Sequence, residues 1–213
     1  MRYSLVAIVS CLSLLVALPS DAATIRFNFT GTVDFVHSSN GSLESIFDTS
    51  QTMTGFYTFE STAPDLDGHA SFGFYELTGY SIAVGSYTAA ATYSRFSVQN
   101  DFLTSQDFYF LRANPMTGSD PGNGMVPYES VLSFAGSQAS VPGDSLPLTP
   151  PDLSSFLSTI WRISFLEAPL AQEDGVLGGT VTSSTLASVP DGGATIWLFG
   201  LAAAGLTAIR RRL

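Results

Sequence analysis

The chain has 213 residues, 45% hydrophobic and only 12% charged, with 18 acids against 8 basic residues and a formal net charge of −10. Soluble domains carry about 25% charged residues, so the ionic surface is sparse. Every basic residue is an arginine, and the acidic balance argues against nucleic acid as a partner, because phosphate binding needs clustered cations.

Residues 1–22 read as a secretory signal peptide: Arg2, an apolar run from Leu5 to Leu18, Pro19, and small residues at Ser20 and Ala22 that suit cleavage after Ala22. The single cysteine, Cys11, lies inside this run. Its removal leaves an exported body without thiols, which excludes disulfides, cysteine-based zinc sites and a cysteine nucleophile.

Residues 23–187 form the expected exported domain. Over residues 24–36 Ile25, Phe27, Phe29, Val33 and Phe35 take the odd positions and polar residues the even ones, which predicts one long half-buried strand with Gly31 as a bulge or bend. Comparable runs at 51–60, 71–77, 80–84, 87–93, 95–100, 107–113, 129–134, 161–166 and 178–184 are rich in aromatic residues, Thr and alternation. Short strands of this kind predict an all-β, antiparallel β-sandwich or jelly-roll-like domain. Residues 114–127 and 137–151, dense in Pro, Gly, Ser and Asp, are expected to be loops. One internal helix is expected where Asp152 can cap a segment in which Leu153, Phe156, Leu157 and Ile160 recur at helical spacing.

The last 26 residues, 188–213, have a layout of their own. Val189, Pro190, Asp191, Gly192 and Gly193 make a turn-forming motif, residues 194–209 are apolar, and Arg210, Arg211 and Arg212 close the chain. As a helix the apolar stretch spans about 24 Å, short of the roughly 30 Å hydrocarbon core, so it crosses only a thin or locally thinned bilayer. The arginines hold its end on the cytoplasmic side and leave the body outside.

These residues carry a resemblance. A Pro-acid motif, a single apolar helix and a terminal Arg cluster behind a signal peptide are similar to the PEP-CTERM class of sorting signals, and to its VPDSG-CTERM variant in particular. Val189, Pro190, Asp191, Gly193 and Thr195 match that variant, while Gly192 and Ala194 stand where it has serines. The resemblance implies that an exosortase, a membrane-embedded cysteine transpeptidase-like enzyme, recognises the tail at the inner membrane. It also implies cleavage near the motif and transfer of the body to the cell surface or extracellular matrix. The catalytic groups would belong to that enzyme.

The body itself offers little catalytic chemistry. It has two histidines, His37 and His69, no lysine, no G-x-S-x-G, no H-E-x-x-H and no phosphate-binding glycine loop. Asp65 and Asp67, in Asp65-Leu66-Asp67-Gly68-His69, are the candidate calcium ligands, since carboxylates two apart before a glycine can wrap a hard cation; a solvated hairpin turn uses the same residues. Residues 118–124 are a second candidate, as a ligand-binding loop, although an ordinary flexible loop has the same composition. The reading is therefore an exported, non-enzymatic surface or matrix protein associated with exopolysaccharide. A carbohydrate-binding module, calcium-assisted through Asp65 and Asp67, is the alternative, with a secreted hydrolase third. The lysine-free acidic surface suits neutral polymers or divalent cations better than anionic partners.

Overall fold

The structure, a computed structural model, describes residues 22–101, 106–121, 124–167 and 172–187. The expected signal peptide before Ala22 and the whole tail 188–213 lie outside the described residues. Within them the chain is all β: β1 (Thr24–Thr32), β2 (Phe35–Ser38), β3 (Thr52–Glu60), β4 (Phe72–Glu76), β5 (Gly79–Val84), β6 (Tyr87–Ala91), β7 (Ser94–Gln99), β8 (Gln106–Ala113), β9 (Met116–Gly118), β10 (Met125–Ser137), β11 (Phe156–Glu167) and β12 (Gln172–Ala187). The ladder pairings between these strands are antiparallel, in the order β4-β7-β8-β10-β11-β12-β1-β3-β5-β6-β9, with β2 beside β12.

The two faces expected of a sandwich come from one sheet that curls on itself. Strand β12 is the seam: Gln172 to Thr180 pair with β11, and Val181 to Ala187 pair with β1. The halves on either side then face each other across an aromatic core. Tyr57 on β3 stacks on Phe96 of β7 at 5.7 Å between ring centroids, and Tyr87 on β6 meets Phe165 of β11 at 5.9 Å. Phe27, Phe29, Phe59, Trp161 and Phe165 are fully buried between them. Burying such rings removes 150–250 Å² each from water, at about 25 cal/mol per Å², so this layer dominates the stability of the fold.

The alternation in residues 24–36 holds as far as Val33 and then inverts. Phe27, Phe29, Gly31 and Val33 point inward, and the β1–β12 register shifts between Thr30 and Gly31, which is the bulge expected at that glycine. A Cβ on Gly31 would lie 2.3 Å from the Thr180 carbonyl oxygen, so no larger residue fits this crossing. The strand breaks at Val33 and Asp34, where the Asp34 amide donates to the Gly178 carbonyl at 2.9 Å, and β2 resumes one residue out of phase. Val36 therefore packs on the core, and Phe35, expected inside, is 47% exposed with its ring lying over Gly178. A one-residue slip exchanges the faces of a strand.

Two further expectations are corrected. The helix expected after Asp152 is a single 3-10 turn, Leu153–Ser155, capped by Asp152 Oδ1 accepting from the Ser154 amide at 3.0 Å; β11 begins at Phe156. Leu153 and Phe156 do pack on the core, but Leu157 is 81% and Ile160 49% exposed, so the helical spacing never formed one face. Pairing along β10 offers this segment a full ladder, and β-branched Thr159, Ile160 and Ile163 favour it. Residues 114–127, expected as one loop, contain β9 and the start of β10. By contrast, residues 138–151 have no strand, as expected, and are pinned at Val141, whose amide donates to Asp107 Oδ2 at 2.8 Å.

Candidate ligand-binding face

Asp65 and Asp67 sit between β3 and β4, and both carboxylates serve the turn. Asp65 Oδ1 accepts from the Asp67 amide at 2.9 Å and the Phe74 amide at 2.8 Å; Asp67 Oδ1 accepts from the His69 amide at 2.9 Å. His69 Nδ1 in turn accepts from the Ser71 amide at 3.2 Å. Among the described residues no group of three or more His, Cys, Asp and Glu side chains is placed to hold a metal ion. In the other candidate loop, Asp120 Oδ2 accepts from the Gly124 amide at 3.0 Å, again a turn contact. The sorting residues Val189, Pro190, Asp191, Gly192 and Gly193, and Arg210, Arg211 and Arg212, lie outside the described residues.

The structure instead gathers a cluster that spacing along the chain conceals. The body has only four arginines, and three of them, Arg95, Arg112 and Arg162, share the outer face of one half of the sheet. Register puts them in one row. Glu76 on β4 opposes Arg95 on β7, Arg95 opposes Arg112 on β8, Arg112 opposes Val131 on β10, and Val131 opposes Arg162 on β11. Like charges directly opposite each other destabilise a sheet, so the Arg95–Arg112 pair is not favoured by the sheet itself.

A bulge in β10 supplies the counter-charge. The β10–β11 register shifts between Pro127 and Glu129, leaving Tyr128 without a ladder partner, so Tyr128 and Glu129 both face outward. Pro127, which has no amide proton to donate, sits where such a bulge tolerates it. Glu129 lies beneath two guanidinium groups with its side chain only 10% exposed: Arg112 Nε donates to Oε2, and Arg162 Nη2 is 3.5 Å from Oε1.

Arg95 is held differently. Its guanidinium carbon is 4.6 Å from the Tyr93 ring centroid and 4.8 Å from that of Phe74, and its Nε donates to the Tyr93 hydroxyl. Stacking on aromatic faces suits a weakly hydrated planar cation. Around it Tyr93, Arg95, Arg112, Asn114 and Tyr128 line a cleft of about 280 Å³, with Tyr93 37% and Tyr128 39% exposed. A second cleft of about 300 Å³ shares Arg112 and runs past Glu129 to Ile160 and Arg162. The fourth arginine, Arg26, lies on the other half of the sheet, stacked on Phe56 at 3.7 Å.

Sequence reasoning missed this face because its arginines stand 17 and 50 residues apart and only the register brings them together. The available signal was their scarcity: each occupies an outward position of an expected strand in a body nearly devoid of cations.

A comparison with protein families matches residues 188–213 to the VPDSG-CTERM motif, a PEP-CTERM-like exosortase sorting signal. The match begins at the residue after β12 ends. A signal of this kind points to an exosortase-targeted surface protein, exported and passing through the membrane. No curated protein and no solved structure matches the chain.

Proposed function

We propose that the protein is an exported, non-enzymatic component of the cell surface or extracellular matrix, associated with exopolysaccharide and released from the inner membrane by an exosortase. The observation that supports this best is the sorting-signal match at residues 188–213, directly after the last strand of the body. The residues of the motif suit a cleavage site: Pro190 stops a helix from propagating, and Gly192 and Gly193 leave the backbone free to extend into a protease cleft. Intact-mass measurement of the secreted protein tests the reading. Release by an exosortase predicts a C-terminus within residues 189–193, absent from a host that lacks the enzyme; recovery of protein ending at Leu213 from the surface fraction would falsify it.

A second reading, a carbohydrate-binding module, is favoured by the half-exposed Tyr93 and Tyr128 flanking one cleft with the Asn114 amide. Tyrosine offers a flat apolar face for a sugar ring and a hydroxyl for its polar rim. Retention on matrix polysaccharide columns supports this reading, and passage through every such column without retention overturns it.

A further inference from the structure

We propose that the cleft between Tyr93 and Tyr128 binds the carboxylate of an acidic sugar unit, with Arg95 as the principal anion-binding group and Arg112 beside it. The inference rests on the second reading above and adds the charge of the ligand, reversing the expectation that an acidic body avoids anionic partners.

The first ground is charge. Residues 23–190 carry four arginines against sixteen acids, a net of −12, yet three of those arginines share one face, where Glu129 pairs with two of them. Arg112 and Arg162 divide that carboxylate between them, which leaves Arg95 in excess.

The second is the state of Arg95. Among the described residues no carboxylate forms an ion pair with it, not even Glu76, its neighbour in the row on β4. Its Nε is taken by the Tyr93 hydroxyl and its plane is held by Tyr93 and Phe74, while no described hydrogen bond uses its two terminal nitrogens. A guanidinium fixed by stacking, with its fork unused, is pre-organised for a two-pronged hold on a carboxylate, and less entropy is lost when the bonds form.

The third ground concerns what carries the carboxylate. Exposed tyrosines and an amide beside the arginines match the ring, hydroxyls and charge of a uronic acid, whereas a bare anion would use none of them. The cleft is at the small end of ligand pockets, sized for one unit at a time. Its neighbour across Arg112 extends the same face, so a polymer can present successive units along the row.

Calorimetric titration of the full chain in a neutral detergent tests the proposal, using tetragalacturonate, its methyl ester, polyglutamate and inorganic sulfate as probes. The free acid should bind, weaken as salt is raised, and bind at least about tenfold more tightly than the ester. Arg95→Gln should weaken the free acid by about tenfold with an unchanged melting temperature. Glu129→Gln should tighten it, because Arg112 loses its internal counter-charge. Equal binding of ester and acid overturns the charge assignment while leaving the carbohydrate-binding reading standing; no binding of either oligosaccharide overturns both. Unchanged affinity in Arg95→Gln overturns the role of that residue, and polyglutamate or sulfate binding as tightly as the sugar overturns the ligand class.

Discussion

The Tyr80 hydroxyl donates to Ser130 Oγ at 2.7 Å, and Ser130 Oγ passes the bond on to the Arg162 carbonyl at 3.0 Å, tying β5 in one half of the curled sheet to β10 and β11 in the other. Burial pushes the Tyr80 phenol far above its ordinary range, with the Ser130 bond pulling the other way. Tyr57 is just as buried and its phenol is also raised, but among the described residues no group hydrogen-bonds its hydroxyl. The same substitution should therefore act oppositely at the two sites. Tyr80→Phe is expected to cost about 1 kcal/mol and Tyr57→Phe to cost nothing or to stabilise, read from denaturant midpoints. A larger loss from Tyr57→Phe would mean that its hydroxyl has a partner.

Asp107 is fully buried and holds two stretches of loop at once: Oδ1 accepts from the Asp101 amide at 2.9 Å and Oδ2 from the Val141 amide at 2.8 Å. Asparagine keeps the shape but turns one acceptor into a donor facing an amide. Asp107→Asn is expected to destabilise by about 1–3 kcal/mol, with faster hydrogen exchange at the amides of Asp101 and Val141 first.

Glu44 supplies a pH dependence. The Ser38 hydroxyl donates to Oε2 at 2.5 Å and the Ser38 amide to Oε1 at 2.9 Å, and these bonds hold the Glu44 carboxyl below its ordinary value of 4.5, with His37 adding a smaller pull from 3.9 Å. A depressed folded value contributes stability above the unfolded value and loses it as pH falls through the folded one. The melting temperature of the native chain should thus exceed that of Glu44→Gln at neutral pH, with the gap closing as pH drops below 4.5. The site is exposed, so the gap is small and shrinks further in salt. A gap independent of pH would rule out the carboxylate as its source.

Gly179 marks the tightest crossing at the seam. A Cβ there would lie 1.9 Å from the Thr32 carbonyl oxygen, which also accepts the Trp161 indole N–H at 2.9 Å. Gly179→Ala must separate β12 from β1 and disturb a buried Trp, and should cost about 3 kcal/mol or more. Gly143, with nothing within 4 Å of an added Cβ, serves as the control, and Gly143→Ala should fold like the native chain.

What could be read without coordinates was whatever is written locally. Each expected strand segment overlaps an observed strand, since alternation records a half-buried surface directly, and the tail was legible because its three parts are contiguous. The phase inversion at Val33 and Asp34 was not, because nothing before Phe35 signals that the Asp34 amide turns to the Gly178 carbonyl. Leu153 to Ile160 misled because a helix and a strand entered through a 3-10 turn can share the same apolar positions. The Arg95, Arg112 and Arg162 face was invisible for a different reason: its existence depends on three strand registers at once.

Strand β12 lies in the middle of the sheet, yet it is the last of the described strands in chain order. Partners as distant as Asn28 and Thr185 meet only through it. As the chain emerges from its N-terminal end during export, β1 and β11 each present a bare edge until residues 172–187 arrive, and pairings of such long range are slow to form. Completion of the body therefore waits for the stretch of chain that adjoins the sorting signal. A molecule held by its tail at the membrane would gain the time to close its seam before release, and one cut too early would leave with two unpaired edges open to aggregation.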